Sequence, residues 1–171
     1  MKQSTRWFDE NGEELIREPV KPDEIEHIAE VGGELEESSV GVNFYSEQLN
    51  KEEITKLIEA EPTKAWNPHE LHPIGNRGRT RMTNWGKWYL TTNRDERDIN
   101  IKIHELLDCL TSNIEHWNEL TSKYKAWIDV AGYINNLNRG FILTPESMKR
   151  LSERNLELVF DIYYEEPDED E

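Results

Sequence analysis

Five basic residues and three tryptophans gather in one stretch of an otherwise acidic chain. Between positions 62 and 90 stand Lys64, Arg77, Arg79, Arg81 and Lys87 against the single acid Glu70, a net of +4. If the run Arg77-Gly78-Arg79-Thr80-Arg81 is extended, three guanidinium groups fall on one side, because alternate residues of a strand share a face. A guanidinium is a planar fork that takes carboxylate or phosphate oxygens in pairs. Trp66, Trp85 and Trp88 flank the run, and Trp and Arg are both enriched at binding hot spots. Trp66, Arg77, Arg79, Arg81, Trp85 and Trp88 are therefore the candidate binding residues. Two plainer roles compete with this one. The arginines can neutralise the protein's own acidic head or tail, and the tryptophans can fill a small core.

Other chemistry finds less footing. His69-Glu70-Leu71-His72 sets two imidazoles three apart. Zinc wants a third or fourth ligand in fixed geometry, and Asn67-Pro68 and His72-Pro73 mark an irregular loop, so no metal and no cofactor is expected. Cys109 sits among Leu106, Leu107 and Leu110 and reads as a buried structural thiol. His104 and His116 fall on helix surfaces. Asp129 and Asp161 alternate with apolar strand residues, so they face the opposite side of a sheet. Adjacent, they would make an acid–base pair; apart, they are solvated. No Gly-rich phosphate loop, nucleophile elbow or acyl-transfer triad is visible. No catalytic residue is assigned, and the chain reads as a non-enzyme.

The whole chain has 171 residues, with 20 Lys+Arg against 36 Asp+Glu, a formal charge of −16. Such a field repels phosphate, which argues against general nucleic-acid or anionic-membrane binding. No apolar run approaches the ~18 residues of a transmembrane helix, and the first residues lack the apolar stretch of a secretory signal. One cysteine excludes an intramolecular disulfide. These features predict a soluble cytoplasmic protein.

Charge divides the chain in three. Residues 1–37 hold 12 acids and 4 bases, and residues 165–171 hold six acids and no base. The tail has no apolar anchor and is expected to be disordered. In the head, Trp7-Phe8 and Leu15-Ile16 flank Asn11-Gly12, a hairpin signal. Pro22, Asp23 and Glu24 suit a helix start, and Gly32-Gly33 a stop. The head is predicted to be an appendage of one hairpin and one short helix.

Residues 38–164 can build the domain that positions the basic stretch. Val40, Val42 and Phe44 alternate in a first strand. Asn50 caps a helix with Ile54, Leu57 and Ile58 on its inner stripe. Thr63 to Thr83 shows no regular pattern. A second strand spans Trp85 to Thr92, with Trp88 and Leu90 on one face and Trp85 and Tyr89 on the other. Asp98 caps a helix carrying Ile103, Leu106, Leu107 and Leu110, which Ile114, Trp117 and Leu120 continue or kink. Ile128 and Val130 mark a third strand. Thr144-Pro145-Glu146 starts a helix with Met148 and Leu151 inside, and Asn155 suits a left-handed stop. Leu156 to Tyr164 alternates as the last strand. The order predicts an α+β two-layer sandwich: one four-stranded, mainly antiparallel sheet with helices on one face, a ferredoxin-like variant.

Several runs resemble the bacterial domain-of-unknown-function family 4279 between about residues 38 and 164. They are Val42-Asn43-Phe44, Ile54-Thr55-Lys56-Leu57-Ile58, Glu61-Pro62-Thr63-Lys64-Ala65-Trp66, Gly86-Lys87-Trp88-Tyr89-Leu90, Leu106-Leu107-Asp108-Cys109-Leu110, and Leu143-Thr144-Pro145 with Leu151 and Asp161-Ile162-Tyr163. The resemblance implies a small bacterial α/β domain of accessory or immunity type, with no chemistry to carry over. The first expectation for function is thus a non-enzymatic, acidic protein-binding module that neutralises a basic protein partner by charge. The alternatives are a small-anion sensor or enzyme built on Arg77, Arg79 and Arg81, and a housekeeping domain whose acidity only aids solubility. The oligomeric state is left open.

Overall fold

The computed structural model describes residues 34–165 except 76, 136 and 137. The expected head hairpin and helix, and the tail beyond Glu165, lie outside the described residues. In chain order the elements are β1 (Glu37–Ser46), α1 (Lys51–Ile58), β2 (Lys64–Trp66), β3 (Leu71–Ile74), β4 (Arg79–Met82), β5 (Gly86–Thr91), α2 (Ile99–Asp108), α3 (Ile114–Lys123), β6 (Lys125–Ile134), α4 (Pro145–Glu153) and β7 (Glu157–Tyr164).

The local signals act where the sequence put them. The Asn50 side chain accepts from the Glu53 N–H, and Asp98 from the N–H groups of Asn100 and Ile101. Thr144 accepts from Ser147 ahead of a first-turn proline. Each satisfies donors that a helix start leaves open. Asn113 caps α3 separately, so the helix pair is broken, not kinked. Asn155 takes a left-handed φ of 53° and turns the chain from α4 into β7.

The sheet departs from the expected four antiparallel strands. It has five, in the order β2-β5-β1-β6-β7. β1 lies antiparallel between β5 and β6, while β6 and β7 run parallel. The reason is the connection: α4 carries the chain back across the layer, as a strand–helix–strand unit requires. β2 was invisible to periodicity at three residues. β3 and β4 form a separate two-stranded ribbon inside the stretch that looked patternless. Glu36 and Glu37, counted with the head by charge, already belong to the sheet: Glu36 N–H donates to the Tyr133 carbonyl and Glu37 pairs with Tyr133.

Helices cover one face. Val40, Val42 and Phe44 of β1, Trp88 of β5, and Ile128 and Val130 of β6 are fully buried against Ile54, Ile58, Ile103, Leu107, Trp117 and Leu120. Phe44 meets Trp88 edge-on at 5.8 Å and stacks on Trp117 at 6.1 Å. Four expected core residues sit further out. Leu57 and Leu158 are only partly buried, Met148 is 48% exposed and Phe160 38%. α4 is nine residues long, too short to roof all of β7. Cys109 is also exposed, not buried, because it caps the end of α2 on its outer side.

One polar group is built into this packing. The Lys102 side chain is completely buried. Its ammonium donates to the Ser38 carbonyl and to the Asp95 carbonyl at 2.8 Å, and pairs with the Asp95 carboxylate at 2.9 Å. It thereby ties α2 to the start of β1 and to the loop after β5. Lys102→Met should lower stability by about 2 kcal/mol, since charged hydrogen bonds to buried acceptors are lost. The exposed Lys149→Met, whose pair with Glu153 spans 3.7 Å, should change it by under about 0.5 kcal/mol. Denaturant unfolding of both variants checks this. Equal midpoints would show that the buried ammonium holds nothing.

Candidate functional site

The ribbon is fastened at its base and free at its tip. His69, at φ 61°, donates its N–H to the Thr83 carbonyl at 2.7 Å. The Glu70 carboxylate accepts from the Asn67 N–H at 2.8 Å and from the Lys51 ammonium at 2.6 Å. These bonds hold the Glu70 carboxyl below its ordinary range, the lysine bond first. The one acid of the basic stretch is therefore consumed by α1. Arg77, Arg79 and Arg81 are exposed, and none forms an ion pair among the described residues. Gly75 and Gly78, at φ 58° and 65°, make the tip turn. That turn takes Arg77 out of the strand, so two guanidinium groups share a face, not three. Arg79 and Arg81 stand opposite Ile74 and His72, while Leu71 opposes Met82 on the ribbon's other side.

Aromatic rings join the ribbon to the helix-free face of the sheet. His72 is buried and stacks on Trp66 at 4.0 Å and 10°. Trp85 closes on both, at 5.6 Å from Trp66 and 6.2 Å from His72, and Tyr45 packs on Trp85 at 5.0 Å. The Arg81 guanidinium lies 5.8 Å from the Trp85 ring centre, inside cation–π range. Trp88 does not join them. Three residues beyond Trp85 and inside β5, it points to the helices, where its Nε1–H donates to the Thr55 hydroxyl at 2.9 Å. It is a core residue and leaves the candidate set. Of the six, Trp66, Arg79, Arg81 and Trp85 come together, and Arg77 stands at the tip.

Register extends this face across the sheet. Lys64 and Trp66, Lys87 and Tyr89, Asn43 and Tyr45, Lys125, Trp127 and Asp129, then Asp161 all project to the helix-free side. Two features hold its centre. A Cβ at Gly41 would lie 2.4–2.9 Å from the Tyr89 ring, so only glycine lets that ring lie flat across β1. The Asn43 amide donates to the Asp129 carboxylate. The Lys87 ammonium sits 4.7 Å over the Tyr89 ring. Burial sets the electrostatics: it raises Asp129 and Tyr89 and lowers Lys87 from their ordinary values, and Asp161 adds repulsion at Asp129. Asp129 and Asp161 thus share a face, as their alternation predicted. Lys87, Tyr89 and Gly41 were missed as a unit, because only register reveals that they meet.

The histidines off this face do structural work. His104 Nε2 lies 3.0 Å from the Ser147 hydroxyl, joining α2 to α4, and His116 Nδ1 lies 3.0 Å from the Leu57 carbonyl, joining α3 to α1. Among the described residues no group of three or more metal-ligating side chains comes together.

The raised Asp129 gives a pH test. A carboxyl raised by burial is held less well charged than in the unfolded chain, so it weakens the fold at neutral pH. That penalty is fully present above its folded value and vanishes as pH falls below the unfolded value near 3.8. Asp129→Asn keeps an acceptor for Asn43 and removes the charge. It should raise Tm by a few degrees at pH 7, with the gain shrinking towards pH 3.5. Thermal unfolding across that range checks it; a gain that grows on acidification would reverse the assignment.

A family model described as a domain of unknown function, DUF4279, matches residues 21–165. No curated protein and no solved structure matches the chain. No described helix is long and apolar enough to cross a membrane. The matched span contains the whole five-stranded sheet, its four helices and the arginine ribbon, and on that match the chain belongs to the DUF4279 domain family.

Proposed function

We propose that this chain is a non-enzymatic binding module that recognises an acidic protein surface through the arginine ribbon and the aromatic end of the helix-free face. One observation carries the reading: Arg77, Arg79 and Arg81 are exposed without ion pairs among the described residues, while Glu70, the single acid of the basic stretch, is held by Lys51. In a chain of charge −16, arginines serving only neutralisation would be spent on neighbouring carboxylates. The ribbon also exposes Leu71 by 64% and Met82 by 55%. Exposed apolar side chains on the ribbon face opposite Arg79 and Arg81 suit a protein interface more than a small ion.

The reading first drawn from composition, capture of a basic partner by charge, keeps its own support. Residues 1–33 and 166–171 hold 14 acids against 4 bases, while residues 34–165 hold 22 against 16. Acidity is concentrated outside the described residues, and a partner drawn by it would meet those segments first. The two readings predict opposite variants. Partner protein captured by the full chain should lose affinity with Arg79→Glu plus Arg81→Glu and keep it with Glu26→Lys, Glu30→Lys and Glu34→Lys. Its on-rate should fall as salt rises from 0.1 to 1 M, because the screening length shrinks from ~10 to ~3 Å. Loss confined to the glutamate variant assigns the function to the acidic head and a basic partner instead.

A further inference from the structure

The sheet ends on β7, and no described strand pairs with its outer side. An edge strand offers a row of open N–H and C=O groups, which proteins usually shorten, cover or blunt. Here the edge is eight residues long. Val159, Phe160, Ile162, Tyr163 and Tyr164 along it are between 38% and 57% exposed. Its two sides differ. On the helix side stand Leu158, Phe160 and Ile162, and a groove of about 430 Å³ between α4 and the start of β7 is lined by Leu143, Met148, Leu151, Glu157 and Leu158. Ile142, 79% exposed, lies nearby in the chain. On the helix-free side, β7 presents Glu157 and Asp161, neither in an ion pair among the described residues, with Asp129 next to them on β6.

We propose that β7 is a docking edge that accepts an extended segment of a partner protein, alternating apolar and basic side chains, as a sixth strand. Backbone bonds to the open edge would supply affinity, and alternate side chains specificity. The apolar set would lie over Phe160, Ile162 and the groove, and the basic set over Glu157 and Asp161. Charge complementarity selects this occupant. A second copy would bring the same acids to the same edge, and residues 166–171, with five acids and no base, extend that charge beyond the strand. The edge is thus set against self-pairing and towards a cationic strand. The inference is independent of the arginine ribbon, which lies at the opposite side of the sheet.

The test titrates a blocked nine-residue peptide alternating Val and Lys into the full chain, with binding read by calorimetry and backbone amide exchange. The expected result is saturable binding that protects β7 amides. Of two versions N-methylated at alternate residues, one should bind like the parent and the other should not, since only one edge of the peptide faces β7. Glu157→Lys with Asp161→Lys should weaken binding about tenfold or more, while Arg79→Glu with Arg81→Glu should leave it unchanged. A peptide of the same composition in scrambled order should bind at least tenfold less tightly. The proposal is overturned by no binding at millimolar peptide, by equal binding of the scrambled peptide, or by indifference to N-methylation. Protection of β7 amides by self-association in sedimentation, without peptide, also overturns it.

Discussion

The described helices of this protein lie on one face of its sheet, and most of its other features answer that constraint. Five strands have two faces and two edges, and four short helices cover one face and part of one edge. The covered face is built of Val40, Val42, Phe44, Trp88, Ile128 and Val130, whose burial contributes roughly 1.5–3 kcal/mol per aliphatic or phenyl side chain. No described helix lies on the other face. It carries the rings of Tyr45, Trp66, Tyr89 and Trp127, and the Tyr89 ring lies across Gly41. Lys87, Asn43 and Asp129 sit among them. The shifted titration of Lys87 and Asp129 is the electrostatic consequence of burying charged groups on that face. The same constraint leaves β7 half roofed and makes its alternation visible on the outside.

How legible this was depended on the range of the interaction. Caps act over three residues, so Asn50, Asp98, Thr144 and the left-handed Asn155 could be read directly. Strands of eight to ten residues show their period. β2, β3 and β4 have three or four residues each, at most two periods, and β3 contains Pro73, which argues against a strand in any window. Their structure is made by pairing across the ribbon, which leaves no local trace. Alternation also tells which residues share a face and not whether anything covers it. Phe160 and Met148 were placed in the core for that reason, and the shortness of α4 decided otherwise. Cys109 failed similarly: its leucine neighbours face inwards, while its own place at the helix end faces out.

For the candidate site, charge arithmetic found the arginines, since a net positive island in an acidic chain needs no fold to be seen. What it could not find was their setting. The cluster of Trp66, His72 and Trp85 joins residues of β2, β3 and the turn before β5. The consumption of Glu70 by Lys51 joins the ribbon to α1. Trp88 was grouped with Trp85 by proximity in sequence, although strand parity already sent the two to opposite faces. Parity was the more physical signal, and the structure follows it.

The remaining question is why positive and negative surfaces on one small sheet do not neutralise each other. Four strand spacings separate β2, beside the ribbon, from β7, about 19 Å at ~4.8 Å each. That is twice the screening length of ~8–10 Å in ordinary salt. Arg79 and Arg81 therefore feel Glu157 and Asp161 weakly, and several other charges of the domain are paired locally. Arg94 spans Glu37 and Glu165 at 2.5 Å to each, tying the start of β1 to the end of β7. Arg97 is taken by Asp95 and Glu105, and Lys123 by Glu53 and Glu119. At that separation the two ends of the sheet act as separate electrostatic surfaces. A single domain can then present cations at one side and anions at the other without folding one onto the other.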